Sequence, residues 1–129
     1  MNAGNRWAAF ALETVQMAEA AQKLGLWNQV CLQTHRAAAN SLKAFLSERH
    51  RPIPQVQHLS ELLAICVEAN AELARFEDAC YGLEKYLIPL TYPDAVPSDQ
   101  VNSLPSEKDA SEALVTLLEL RDALPLIYP

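Results

Sequence analysis

The chain has 129 residues and a formal charge of −6, and half of its residues are apolar. This size and composition fit one domain with a single hydrophobic core, and they exclude a chain that is disordered throughout. Only three glycines are present, which argues against turn-rich β sandwiches and barrels. The long stretches between the proline clusters therefore predict an all-α protein whose residues 1–129 form a single domain.

The first predicted helix spans residues 6–24. Apolar residues recur in it at helical spacing, on a face that includes Phe10, Met17 and Leu24. Gly25 follows at once, in the position where a left-handed residue commonly ends a helix. We therefore expect a tight turn between the first and second helices.

The second predicted helix, α2, over residues 27–49, is apolar or small around most of its circumference. What remains is one narrow polar stripe, here called the α2 stripe: Gln29, Gln33, Arg36, Asn40, Lys43 and Ser47. A helix that is apolar on most sides must be surrounded by other helices. We therefore predict that this helix, with Phe45 among its apolar residues, forms the centre of the bundle.

The third and fourth predicted helices span residues 58–70 and 72–88, after a loop in which Pro52 and Pro54 break the helical pattern. Leucines and other apolar residues recur in both at spacings of three and four. Only polar residues around Asn70 separate them, so one kinked helix is an alternative.

The last part of the chain combines a proline-rich connection, residues 89–105, with a fifth helix over 106–124. Ser106 followed by Asp109 forms a capping-box-like start for that helix, and Pro125 ends it. The whole pattern predicts an up-and-down helical bundle of four main helices plus a C-terminal helix.

The cysteines, Cys31, Cys66 and Cys80, are odd in number, far apart and on predicted apolar faces. They are typical of reduced, buried thiols, from which we expect a cytoplasmic protein. No apolar run is long enough to cross a bilayer, so no membrane partner is expected. The spacing of the histidines and carboxylates predicts no metal site, and no cofactor is expected.

The candidate ligand-binding residues are Arg36, Asn40 and Lys43 on the α2 stripe, with Tyr92 and Asp94 in the proline-rich connection. If that connection folds over the second helix, these side chains would form a polar pocket for a phosphate or a nucleotide. The alternative is structural, with the tyrosine packed on the bundle and the aspartate capping a proline-fixed turn. Phosphate-binding glycine loops and a nucleophile elbow are absent, which argues against a self-contained metabolic enzyme.

Four segments in this order resemble the HEPN domain, a small helical domain associated with nucleotide binding. Residues 13–46 are similar to its first helix pair, and QHLSELL at 57–63 to the opening of its third helix. YLIPLTYPDAVPSD at 86–99 is similar to its Y-I-P-x-R-Y-P-D signature, although Thr91 replaces the arginine. The late helix completes the resemblance, which therefore extends over nearly the whole chain.

The resemblance implies a homodimeric interaction or nucleotide-binding module, and the missing active residues predict that it is not catalytic. It also implies that a small, separate nucleotidyltransferase is its partner in a toxin–antitoxin-like system, with a nucleotide or RNA as ligand. HEPN ribonucleases carry an R-x(4–6)-H pair, and the only such spacing here joins Arg51 to His58. A ribonuclease toxin using those two residues is one alternative, and a structural helical adaptor without a ligand is another.

Overall fold

The computed structural model describes residues 3–55, 58–87, 91 and 104–124. Within these ranges the chain forms five α-helices and one 3₁₀ helix, and no strand. The elements are α1 (Ala3–Lys23), α2 (Trp27–Glu48), α3 (Leu59–Ala69), the 3₁₀ helix (Ala71–Phe76), α4 (Glu77–Glu84) and α5 (Glu107–Ala123). The prediction of an all-α helical bundle is confirmed.

Helix α2 lies at the centre of this bundle, as its sequence pattern predicts. Helices α1, α3, α4 and α5 all contact it. More than half of its residues are buried, and Leu42, Phe45 and Leu46 are completely inaccessible to solvent. Among the described residues, these four neighbours leave one side of α2 open, and the α2 stripe is on that side.

Helix α1 packs against α2 with its small residues, and the prediction that its large apolar residues face the core is wrong. Ala8, Ala11 and Ala18 are fully buried, whereas Phe10 and Met17 are 56% and 57% exposed. Leu24, the third large residue of that face, is also exposed. Alanines allow two helices to approach closely, and larger side chains between them would hold the helices apart.

The turn from α1 to α2 is closed by Gly25, as predicted. This residue has a φ of 72°, and its N–H donates to Gln22 O at 3.2 Å. The N–H of Leu26 donates to Ala21 O at 3.0 Å. These two bonds satisfy the last carbonyls of α1 in the Schellman arrangement, in which one residue is left-handed.

Gly25→Ala should lower the free energy of unfolding by about 1 kcal/mol, because alanine is strained at positive φ. An added Cβ would lie 3.7 Å from the Trp27 ring, an ordinary contact, so backbone strain is the only cost. Gly82→Ala is the control: Gly82 lies inside α4 with nothing within 4 Å of an added Cβ. Urea unfolding should show that the control gains stability. A loss of equal size in both variants would contradict the left-handed backbone conformation assigned to Gly25.

Helix α2 ends with the same arrangement, but without a glycine. His50 has a φ of 56°, its N–H donates to Ser47 O at 3.1 Å, and Arg51 N donates to Leu46 O at 3.0 Å. The helix therefore stops before Pro52, and the prolines do not themselves terminate it. No sequence signal marks His50, since the left-handed position usually carries glycine or asparagine.

Asn70 separates α3 from the next element. Its backbone is extended, with a φ of −150°, and its side chain accepts a hydrogen bond from Glu72 N at 3.1 Å. A short polar side chain that bonds nearby backbone competes with the helical ladder in this way. Helices α3 and α4 are therefore separate, but the predicted start of the fourth helix at residue 72 is wrong, because the 3₁₀ helix precedes α4.

The start of α5 confirms the predicted capping box. Ser106 Oγ accepts a hydrogen bond from Asp109 N at 3.2 Å, and Asp109 Oδ2 accepts one from Ser106 N at 3.0 Å. Helix α5 also bonds to α1, since Gln22 Nε2 donates to Ser111 Oγ at 2.9 Å. The predicted helix end at Pro125 and most of the proline-rich connection lie outside the described residues.

Candidate functional site

The α2 stripe forms one side of a groove of about 360 Å³. Arg36, Asn40 and Lys43 all line it, so three of the predicted ligand residues meet at one place. The other lining residues come from α2, from the start of α3 and from the turn that follows α4: His35, Ala39, His58, Leu59, Leu62 and Leu87. The remaining two predicted residues, Tyr92 and Asp94, lie outside the described part of the chain.

Two side chains of the α2 stripe also contact helix α1. Lys43 Nζ lies 5.1 Å from the centroid of the Trp7 ring, which is a cation–π contact. Asn40 Nδ2 donates to Thr14 Oγ1 over 3.5 Å. These contacts place two of the groove's polar side chains against α1.

A carboxylate holds the opposite side of the groove together. Glu84 Oε2 accepts from Leu59 N at 2.7 Å and from His35 Nε2 at 3.1 Å, and Glu84 Oε1 accepts from His58 Nδ1 at 3.0 Å. An ionised carboxylate only accepts hydrogen bonds, so each of these ring nitrogens carries the hydrogen. One side chain therefore joins α2, the start of α3 and α4.

The pKa of Glu84 reflects these contacts. Burial raises it, but the hydrogen bonds from Leu59 N–H and from His35 and His58 outweigh burial, so the pKa lies below its ordinary value of 4.5. At neutral pH the group is therefore ionised, and its charge is satisfied by its three donors.

The two cationic residues of the groove, Arg36 and Lys43, form no ion pair with a carboxylate within the described residues. By contrast, Lys108 faces Glu112 and Arg121 faces Asp122. Positive side chains that form no ion pair attract anions, even in a chain that is acidic overall. The groove is therefore suited to a phosphate group.

The residues of the ribonuclease alternative occupy different places. His58 lines the groove, whereas Arg51 lies outside that lining, and its Nη1 is 4.0 Å from Glu68 Oε2 on α3. Both side chains are substantially exposed, with 63% for His58 and 42% for Arg51. The structure thus brings His58, but not Arg51, to the candidate site.

His35 and Glu84 are not among the residues that the sequence pattern predicts for the site. His35 is one of three buried polar side chains of the described region, and its partner is 49 residues away in sequence. No local spacing joins two residues so far apart. The signal that was available is the position of His35 beside the α2 stripe, on a side of the helix that is otherwise apolar.

The three cysteines are free and buried, as predicted. Burial raises the pKa of Cys66 to about 12 and the pKa values of Cys31 and Cys80 to about 11. Such thiols stay protonated and are poor nucleophiles. Across the described ranges, no group of three His, Cys, Asp or Glu side chains is placed to hold a metal ion. No helix in the described part of the chain is both long and apolar enough to cross a membrane.

Comparison with known proteins agrees with this architecture. A family model, the HEPN domain, matches residues 5–125. The fold is similar to the crystal structure of TT1696 from Thermus thermophilus, with a TM-score of 0.80 and 25% sequence identity. That similarity covers 96% of this chain and 97% of the other. Comparison with curated proteins gives no match.

Proposed function

Because this chain belongs to the HEPN domain family, we propose that it is a non-catalytic module that binds the phosphate of a nucleotide in the groove beside α2. The observation that carries the proposal is the convergence of Arg36, Asn40 and Lys43 on one groove, where the two cations have no carboxylate partner among the described residues. Tyr92 and Asp94 complete the proposed ligand set.

The three groove residues supply complementary interactions. The guanidinium of Arg36 can bind two phosphate oxygens at once, and the ammonium of Lys43 acts as a compact charge. The amide of Asn40 donates hydrogen bonds but adds no charge. A groove of about 360 Å³ is at the small end of the range for ligand sites, which suits part of a nucleotide rather than a large cofactor.

Arg36→Ala and Lys43→Ala should each weaken the binding of inorganic pyrophosphate about tenfold, because each removes a charge-assisted contact. Isothermal titration at low ionic strength measures this change. Arg75→Ala and Lys108→Ala are matched controls, since both side chains are exposed and lie outside the groove. Loss of affinity in all four variants would indicate a general charge effect and contradict the site. Wild-type protein that binds no anion would favour the adaptor alternative.

A ribonuclease is the second candidate, and the contact between His58 and Glu84 favours it. A carboxylate that accepts from Nδ1 fixes the tautomer of a histidine and leaves Nε2 available as a base. Arg51 lies outside the groove, so this candidate lacks the phosphate-binding partner that the family motif assigns to it. Cleavage of RNA by the purified protein, abolished in His58→Ala, would support the ribonuclease over the non-catalytic module.

We further propose that the module is a homodimer whose partner is a small, separate nucleotidyltransferase, as in toxin–antitoxin-like pairs. Membership of the HEPN family supports both associations. Light scattering of the purified chain tests the homodimer. The identity of the neighbouring genes and co-expression with any nucleotidyltransferase that they encode test the pair. A monomer would contradict the homodimer, and failure to co-purify would contradict the pair.

A further inference from the structure

A pair of aromatic rings on α1, half-buried Trp7 and exposed Phe10, borders the proposed phosphate groove. The rings of Trp7 and Phe10 on α1 meet edge to face, with centroids 6.2 Å apart and planes at 80°. Lys43, which lines the groove, lies 5.1 Å from the centroid of Trp7. One cation therefore connects the aromatic pair to the groove.

Phe10 is exposed because of how α1 packs. The alanines of α1 face α2, so the large side chains on the neighbouring part of α1 remain outside the core. Phe10 is 56% exposed, and its edge-to-face contact with Trp7 restricts the orientation of its ring. A large ring that is held in one orientation and open to solvent offers an apolar face that a ligand can cover.

We propose that the exposed Phe10 ring, oriented by its edge-to-face contact with Trp7, is the stacking platform for the base of a nucleotide whose phosphates lie at Arg36 and Lys43. This inference rests on the proposed function and names the ligand class: a compound that joins an aromatic base to a phosphate, such as a nucleoside diphosphate. Aromatic side chains stack on every nucleobase, and a neighbouring cation binds the phosphate. Inorganic phosphates lack the base, and acidic peptides lack the phosphate.

The remainder of the exposed apolar face of α1 is chemically different. Met17 is 57% exposed, close to the value for Phe10, but it carries no ring. The Phe10 ring is joined to Lys43 through Trp7, and Met17 has no ring on which a base could stack. Met17 is therefore the matched control for an effect that depends on an aromatic ring near the phosphates.

The test compares ADP with inorganic pyrophosphate by isothermal titration of the full chain. The wild-type protein should bind ADP about tenfold more tightly, the gain expected from one stacked base. Phe10→Ala should remove that preference and leave the affinity for pyrophosphate unchanged, and Met17→Ala should keep the preference. Phe10→Leu, which retains an apolar side chain without a ring, should behave like Phe10→Ala.

The other outcomes each overturn the inference. Equal affinities for ADP and pyrophosphate in the wild type would overturn the platform and leave the phosphate site standing. Binding of neither compound would overturn the platform together with the proposed function. A preference for ADP that survives Phe10→Ala would overturn the platform. If light scattering also shows that this variant loses an oligomer, the exposed ring contacts another copy of the chain instead.

Discussion

Phe45→Ala should lower the free energy of unfolding by about 3–5 kcal/mol, as removal of a fully buried aromatic ring does in other cores. Phe45 is completely inaccessible to solvent in α2, the helix that all four other α-helices contact. The Arg49 guanidinium also lies 3.7 Å from the centroid of its ring, so that contact is lost as well. Urea unfolding followed by circular dichroism measures the change.

Phe10→Ala provides the matched control for this prediction. The residue type and the substitution are the same, but Phe10 is on the surface of α1 and is 56% exposed. Its removal should change the unfolding free energy by about 1 kcal/mol or less. Similar losses in the two variants would contradict the central position of α2, because Phe45 would then contribute no more to the core than a surface residue.

Glu84→Ala should have the second largest effect, a loss of about 2–3 kcal/mol at neutral pH. The substitution leaves Leu59 N–H and the buried ring nitrogen of His35 without their acceptor. It also removes the bond to His58, so three separate parts of the chain lose their shared contact. Glu84→Gln should recover part of the loss, because its amide oxygen can still accept from one donor.

The pH dependence of stability tests the same contact. The folded-state pKa of Glu84 lies below its ordinary value of 4.5, so its ionised form stabilises the fold fully above that value. The stabilisation is lost as the pH falls through the lowered pKa. We therefore expect the difference between the wild type and Glu84→Gln to shrink below about pH 4.5, as both side chains become neutral.

Glu68→Ala is the control for both measurements. Its side chain is 71% exposed, and its ion pair with Arg51 is long, at 4.0 Å. Exposed pairs of this kind contribute about 0–1 kcal/mol. A loss in Glu68→Ala equal to that in Glu84→Ala would show that the Glu84 contacts do not hold the helices together.

The sequence was sufficient to predict the parts of the fold that depend on local chemistry. Gly25 and the pair Ser106 and Asp109 lie where the sequence patterns expect them, because helix ends are fixed by residues within a few positions. The central position of α2 was also predictable, since a helix with one narrow polar stripe has few other places to pack.

The apolar face of α1 and the contacts of Glu84 could not be predicted in the same way. Periodicity shows that Phe10 and Met17 share a face, but it does not show that the bundle prefers the alanines of the same helix. Glu84 joins His35, 49 residues earlier, to His58, 26 residues earlier, and only the folded chain brings them together. Sequence patterns therefore located the cations of the groove but not the carboxylate beside them.

The most direct test of the phosphate groove follows backbone amide signals during titration with inorganic pyrophosphate. We expect the largest shifts at Arg36, Asn40 and Lys43, with His58 also affected, because these residues line one groove. A spectrum that does not change, or shifts confined to the surface around Arg75 and Asp122, would contradict the proposal that the α2 stripe binds phosphate.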